Sequence, residues 1–290
     1  MNAERKEMIV AQLKTWGSII LFLISWFFLL MIFVVPLLLF GIMDPYSKEL
    51  TQEALFFISL VMLMGTLTTV FLWTKFKHGE RIKDIGFELR TKWKDLLWGM
   101  FYGAAAVTGG FLICYITGLV QIVDIHFTPD ILIVLFTLIL VAAGEEILSR
   151  GYLLRRFMKT YNKYAALGIA SLLFMAAHLA NQNISTIGMI NLFLAGILLG
   201  IYYIYKQNLW FPIGLHFTWN FFQSVFGFEV SGMKTESIIV QQPVEGMEWL
   251  TGGAFGFEGS VYCTIIQVLC ITAVYFQYGR HHTLINGNLD

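Results

Sequence analysis

The apolar positions of this chain run together in blocks instead of alternating with polar ones. Eight blocks are drawn at residues 17–43, 54–74, 97–120, 131–154, 164–180, 187–205, 209–227 and 260–278. A hydrocarbon core takes about 20 residues of helix at about 1.5 Å each. The pattern therefore predicts an all-α polytopic membrane protein with about eight transmembrane helices, the fifth block being the shortest. The first block follows a polar lead carrying Arg5, Lys6 and Lys14. Its apolar stretch is too long for a signal peptide and no small-x-small cleavage site follows, so it reads as an uncleaved first helix.

Charge in the connections adds sidedness. With the N-terminus inside, 17 Lys and Arg residues fall on the cytoplasmic side, from Arg5 to Arg280, and only Lys48 and Lys234 fall on the other. Short cytoplasmic loops collect Lys and Arg, so N-terminus and C-terminus are both expected to be cytoplasmic. Composition agrees, since 57% hydrophobic and 13% charged residues with a mean hydropathy of +0.70 exclude an ordinary soluble domain. The formal net charge is zero and the basic residues are spread among loops, so no nucleic-acid partner is expected. Cys114, Cys263 and Cys270 lie in apolar blocks without a CxxC spacing, which indicates neither a disulfide framework nor a cysteine zinc site.

Two connections are long. Segment 75–96 places Ile82, Ile85, Leu89 and Trp93 at helix-like spacing among basic residues and is expected to lie along the cytoplasmic interface. Segment 228–259 ends in Gly252, Gly253, Gly256 and Gly259. It lacks the GKS/T ending of a phosphate-binding loop and is read as an external cap over the outer helix ends.

Ionisable groups at membrane depth cost at least about 2.5 to 3.5 kcal/mol each, so the few in the blocks stand out. They are Glu145, Glu146 and Arg150 in the fourth block, His178 in the fifth and His216 in the seventh, with Asn220 nearby. Glu146 and Arg150 are four apart and share a helix face, whereas Glu145 projects about 100° away from Glu146. An ion pair with Arg150 accounts for Glu146 and leaves Glu145 free. Phe174 and His178 repeat the spacing of four, as do His216 and Asn220. Three helices thus each present a polar stripe, and turning all three inward buries them together.

A carboxylate and an imidazole sharing one water can make it nucleophilic. An imidazole N–H and an amide N–H can meet the oxyanion formed when that water attacks a carbonyl. No GxSG, HExxH or GxGD pattern accompanies the set. Glu145, His178 and His216 are also a chemically reasonable zinc set with an open fourth position, so water alone and water on zinc both stay open. A proton-coupled transporter would use similar groups, but neither inverted repeats nor a second polar set is present.

"EEILSR", "FMAAH" and "HFTWN" resemble the EExxxR, FxxxH and HxxxN motifs, in that order, of the CAAX protease and bacteriocin-processing (Abi, CPBP) family of intramembrane proteases. The resemblance covers roughly residues 130–228. It implies an intramembrane endopeptidase, with Glu145 and His178 activating water and His216 and Asn220 stabilising the oxyanion. Glu146 and Arg150 take supporting roles, and no cofactor is the favoured expectation, zinc being the alternative. The expected partner is a membrane-associated peptide or protein, prenylated in the eukaryotic and archaeal relatives, and the expected location is the bacterial cell membrane. A non-catalytic immunity or binding protein on the same scaffold is the other alternative. The resemblance divides the chain into N-terminal helices (1–129), a core (130–228), and an external loop with a last helix (229–290).

Straight helices would put Glu145, His216 and His178 about 14, 11 and 21 Å from the inner boundary. A shared site therefore requires tilt, a break near Gly151 or helix boundaries other than those drawn, the start of the short fifth block above all, with Glu145 and His178 ending within about 8 Å of each other.

Overall fold

The computed structural model describes residues 3–42, 50–88 and 92–279. Lys48, Leu89, Arg90 and Arg280, used above for sidedness and for the interfacial segment, lie outside the described residues, as does everything beyond 279. The main helices are α1 (Ala3–Leu39), α2 (Gln52–Leu72), α3 (Trp93–Ile116), α4 (Asp130–Glu146), α6 (Lys163–Ala177), α7 (Thr186–Lys206), α8 (Trp210–Val225) and α10 (Val261–Val274); α5 (Arg155–Phe157) and α9 (Glu248–Thr251) are single turns. Each main helix falls on one of the eight apolar blocks.

Six are long and apolar enough to cross a membrane, counting the π-helical turns that extend α2 to Lys77, α4 to Leu154 and α10 to Gly279. Among the described residues the expected count of eight is not confirmed, since α6 has 15 residues and α8 has 16. These span about 22 and 24 Å, short of a core of about 30 Å. The arrangement is that of a polytopic helical membrane protein.

Between helices in lipid, association rests on close packing and interhelical hydrogen bonds, since lipid tails are as apolar as the side chains. The tightest contact is α3 against α8. Gly99 and Gly103, four apart, face the Phe211 and Leu215 carbonyls of α8, and Gly214 faces the Leu96 carbonyl of α3. Thr218 Oγ1 donates across to Met100 O (2.9 Å). On the other side α6 meets α7 where Gly196 lies against Ser171. α1 packs on α2, with Trp26 Nε1 donating to Thr66 Oγ1 (3.0 Å), and α2 packs on α4. Tyr152, Tyr202, Phe22, Phe157 and Phe211 are fully buried between these pairs.

The connections are packed as well. Among the described residues of segment 75–96 a 3₁₀ turn, Ile82–Ile85, plugs Ile85 into the core, and Tyr203 Oη donates to its carbonyl (2.9 Å). Just before it, Glu80 accepts from Arg156 Nη2 (2.5 Å), Arg156 Nη1 (3.0 Å), Arg155 Nη2 (3.4 Å) and Lys159. At the opposite end the chain adds a feature the apolar pattern did not predict. Strand β1 (Val120–Ile125) pairs antiparallel with β2 (Ile239–Pro243), Val120 opposite Pro243 and Ile125 opposite Ile239, with a register irregularity between Ile122 and Asp124. The β1–β2 pair straps the α3–α4 connection to segment 228–259. That segment folds back on the helix ends with Phe255 and Phe257 buried, and Gly256 at φ +89° stands where a side chain would strike the Glu229 carbonyl.

Candidate active site

The site begins where α4 changes its winding. From Ile147 to Leu154 the helix is π-wound, a form that is rare and concentrates at functional sites. Gly151 lies in this stretch, close to Leu209 and Ile85. The helix runs through Gly151 without a break, its winding changed instead, and Glu145 and Glu146 stand at the start of the π-wound stretch. α6 contributes by stopping early. Its last residue is Ala177, and His178 is its C-cap at φ −99°, ψ 0°. Non-helical backbone at such a point is tolerated where it is buried in protein or lines a cavity.

The four groups converge. His178 Nε2 lies 3.7 Å from Glu145 Oε2 and His216 Nε2 lies 3.9 Å from the same oxygen. That oxygen is buried and has no hydrogen-bond partner among the described residues. His178 Nδ1 is 2.8 Å from Phe174 O. A carbonyl only accepts, so Nδ1 carries the hydrogen and neutral His178 turns the lone pair of Nε2 toward Glu145. His216 Nδ1 donates to Glu146 Oε1 (2.8 Å), which fixes that ring with its Nε2 toward the same place.

Glu146 does more than pair with Arg150. Its Oε1 accepts from both His216 and Arg150 Nη1 (2.7 Å), so one buried carboxylate joins α4 to α8. Arg150, 3% exposed in its side chain, also donates through Nη2 to Gly196 O on α7 (3.2 Å). Its guanidinium sits 4.5 Å from the Phe174 ring, and that ring packs 4.7 Å from His178 and 6.3 Å from His216, centroid to centroid. Phe174 is thus a spacer among three polar groups, and the close approach of Gly196 to Ser171 lets α7 offer its carbonyl.

Glu145, His178, His216 and Asn220 all line one cavity of about 320 Å³. Its wider part is apolar and runs between α2 and α4, past Leu55, Met62, Leu63 and Leu148 to Trp26 on α1. Ser231 and Met233 of the external segment close the other side. Sequence reasoning missed these, and it missed Asn181, whose Nδ2 donates to Ser231 O (3.0 Å). The only signal for Ser231 was its place in a turn-prone loop. Among the described residues no group of three or more His, Cys, Asp or Glu side chains is placed to hold a metal ion. The steps below are written with the side chains of this chain alone.

Over 91 residues the chain is 38% identical to an Escherichia coli protein described as an uncharacterized 24.3 kDa protein, covering 30% of this chain and 41% of that relative. The match thus spans about two fifths of the relative's length. No solved structure matches the chain. The segment that supplies Glu145, Glu146, Arg150, His178, His216 and Asn220 is one of recognised type: residues 127–222 match the type II CAAX prenyl endopeptidase Rce1-like family.

Proposed function

We propose that the chain is an intramembrane endopeptidase that hydrolyses a peptide bond of a membrane-associated protein or peptide. The observation that carries this reading is the meeting of Glu145 Oε2 with two imidazole nitrogens at 3.7 and 3.9 Å in a cavity open to an apolar groove. At 3.7 Å, Glu145 Oε2 and His178 Nε2 are too far apart for a direct hydrogen bond, and both are acceptors. A water placed beside the line joining them donates one hydrogen to each and keeps a lone pair for attack.

The water oxygen adds to the substrate carbonyl carbon while its proton passes to Glu145. The resulting oxyanion accepts from the Asn220 amide and from His216 Nε2–H when that ring carries both protons, a state that Glu146 favours from the other side. Collapse breaks the C–N bond, and the proton on Glu145 leaves with the amine. No metal is used. The groove between α2 and α4 receives an apolar part of the substrate, and the Lys and Arg distribution supports a cytoplasmic position for both termini.

The test is cleavage of candidate membrane peptides, prenylated and unprenylated, by purified protein in liposomes. Glu145→Gln and His178→Ala should each cost a factor of about 10² to 10⁴. Activity should persist in a strong chelator. Full activity in either variant would overturn the assignment.

A further inference from the structure

Beside the histidines, and sharing His178, His216, Asn220 and Ser231 with the larger cavity, lies a pocket of about 20 Å³, enough for one water. Its polar lining is His178, His216, Asn220, Ser231, Glu258 and Gln267. Glu258 and Gln267 lie outside the segment that matches the family, in the external segment and on α10. Glu258 is 6% exposed, and Ser231 Oγ donates to its Oε2 at 2.6 Å. Its backbone is pinned: Asn191 Nδ2 donates to the carbonyls of Glu258 (2.7 Å) and Ser260 (2.8 Å). Ser231 itself is held at φ +50°, a conformation that costs a non-glycine residue energy and concentrates at functional sites. Gln267 is 1% exposed and its Oε1 has no partner among the described residues.

The lining is unbalanced in hydrogen-bond terms. Glu258 and Gln267 Oε1 are acceptors, and both ring Nδ1 atoms are engaged elsewhere, by Phe174 O and Glu146. Asn220, 5% exposed, and Gln267 are the two amide side chains that line this space. We propose that Glu258 is a positioning residue of the site, acting with Gln267 through one buried water on the Asn220 amide. The water donates to Glu258 and to Gln267 Oε1 and accepts one N–H of Asn220, which fixes the other N–H toward the reacting carbonyl. Three partners are the usual number for such a water. This rests on the reading of Asn220 as an oxyanion donor, but the linkage can be measured without catalysis.

The linkage is read from thermal unfolding of the full chain in detergent, using Gln267→Leu, Asn220→Ala and the double variant, then Glu258→Leu in place of Gln267→Leu. Groups in one network give a double shift smaller than the sum of the single shifts. Glu258→Gln keeps an acceptor and should keep the coupling, whereas Glu258→Leu should remove it. Additive shifts throughout would overturn the proposal. The second arm measures kcat and KM on a farnesylated CAAX-type peptide in liposomes. Glu258→Leu should lower kcat about tenfold with KM unchanged, less than the factor of about 10² to 10³ for losing an oxyanion donor outright, and Glu258→Gln should stay near wild type. An unchanged kcat in Glu258→Leu also overturns it. If the wild-type chain leaves the peptide intact while the coupling is found, the endopeptidase reading fails and the linkage stands.

Discussion

Glu80 carries a prediction whose size follows from its surroundings. It receives Arg155, Arg156 and Lys159 at the end of the α4 extension. Burial alone would raise its carboxyl above the ordinary range, but the hydrogen bonds from Arg156 and Lys159 outweigh burial and hold the pKa at about 2 against an ordinary 4.5. At about 1.36 kcal/mol per unit, that difference corresponds to about 3.4 kcal/mol of stability. Solvent reaches the cluster, with Lys159 half exposed, and screening trims the figure to about 2 kcal/mol. A carboxylate with a depressed folded pKa contributes fully above pH 4.5, and the contribution is lost as pH falls toward 2.

Glu80→Gln should therefore lower the unfolding midpoint at pH 7 by about 4 °C, at roughly 2 °C per kcal/mol for a chain of this size. The gap to wild type should close between pH 4.5 and 2. His78 adds a separate slope. Burial first, and then Arg156, hold its pKa near 4, so the folded chain keeps it neutral and loses stability as pH falls from 6.5 to 4 in both proteins. Glu80 itself raises the His78 pKa, so the slope differs between the two proteins, and the comparison is made in a His78→Asn background to isolate Glu80. Tryptophan fluorescence in mild detergent is a sufficient readout. Equal midpoints at pH 7, or a gap that does not change down to pH 2.5, would refute the assignment of Glu80 as the hub of this cluster.

Glu146→Gln leaves Arg150 buried without its counter-charge and should cost about 3 to 5 kcal/mol along with activity; an unchanged midpoint would show that Arg150 is compensated elsewhere. Gly103→Ala sets a methyl against the Leu215 carbonyl and the Trp219 amide, backbone atoms that cannot swing aside, and should cost about 1 to 3 kcal/mol, whereas a wild-type midpoint would contradict the close α3–α8 approach. The loss of cleavage in Glu145→Gln and His178→Ala, and the coupling of Glu258 and Gln267 to Asn220, complete the set.

The fourth, fifth and seventh blocks showed their polar stripes in the sequence because charge is expensive among apolar residues, and a spacing of four fixes a shared face. That logic found Glu146 with Arg150 but not the bond from Glu146 to His216, because contacts between helices leave no periodic trace. It also overestimated α6. The run "AAHLA" stays apolar past His178 with no Gly or Pro, and the turn residues Asn181 and Asn183 come only afterwards. β1 was lost at the end of an apolar block, where six residues are too few for alternation to show. Glu258 was invisible for a different reason: an acid in a Gly-rich external loop reads as solvated, and only the grip of Asn191 on its backbone turns it inward.

The clasp between α3 and α8 also dictates an order of assembly. Its hydrogen bond joins Thr218 to Met100, 118 positions apart in the chain. During synthesis α3, α4, α6 and α7 must all be in place before α8 can lock onto its partner, and Gln267 arrives later still. Contacts of such separation form late because the ordering of the intervening chain must come first. A nascent chain therefore carries both glutamates and His178 for some time before His216 joins them, and under the endopeptidase reading cleavage has to wait for α8.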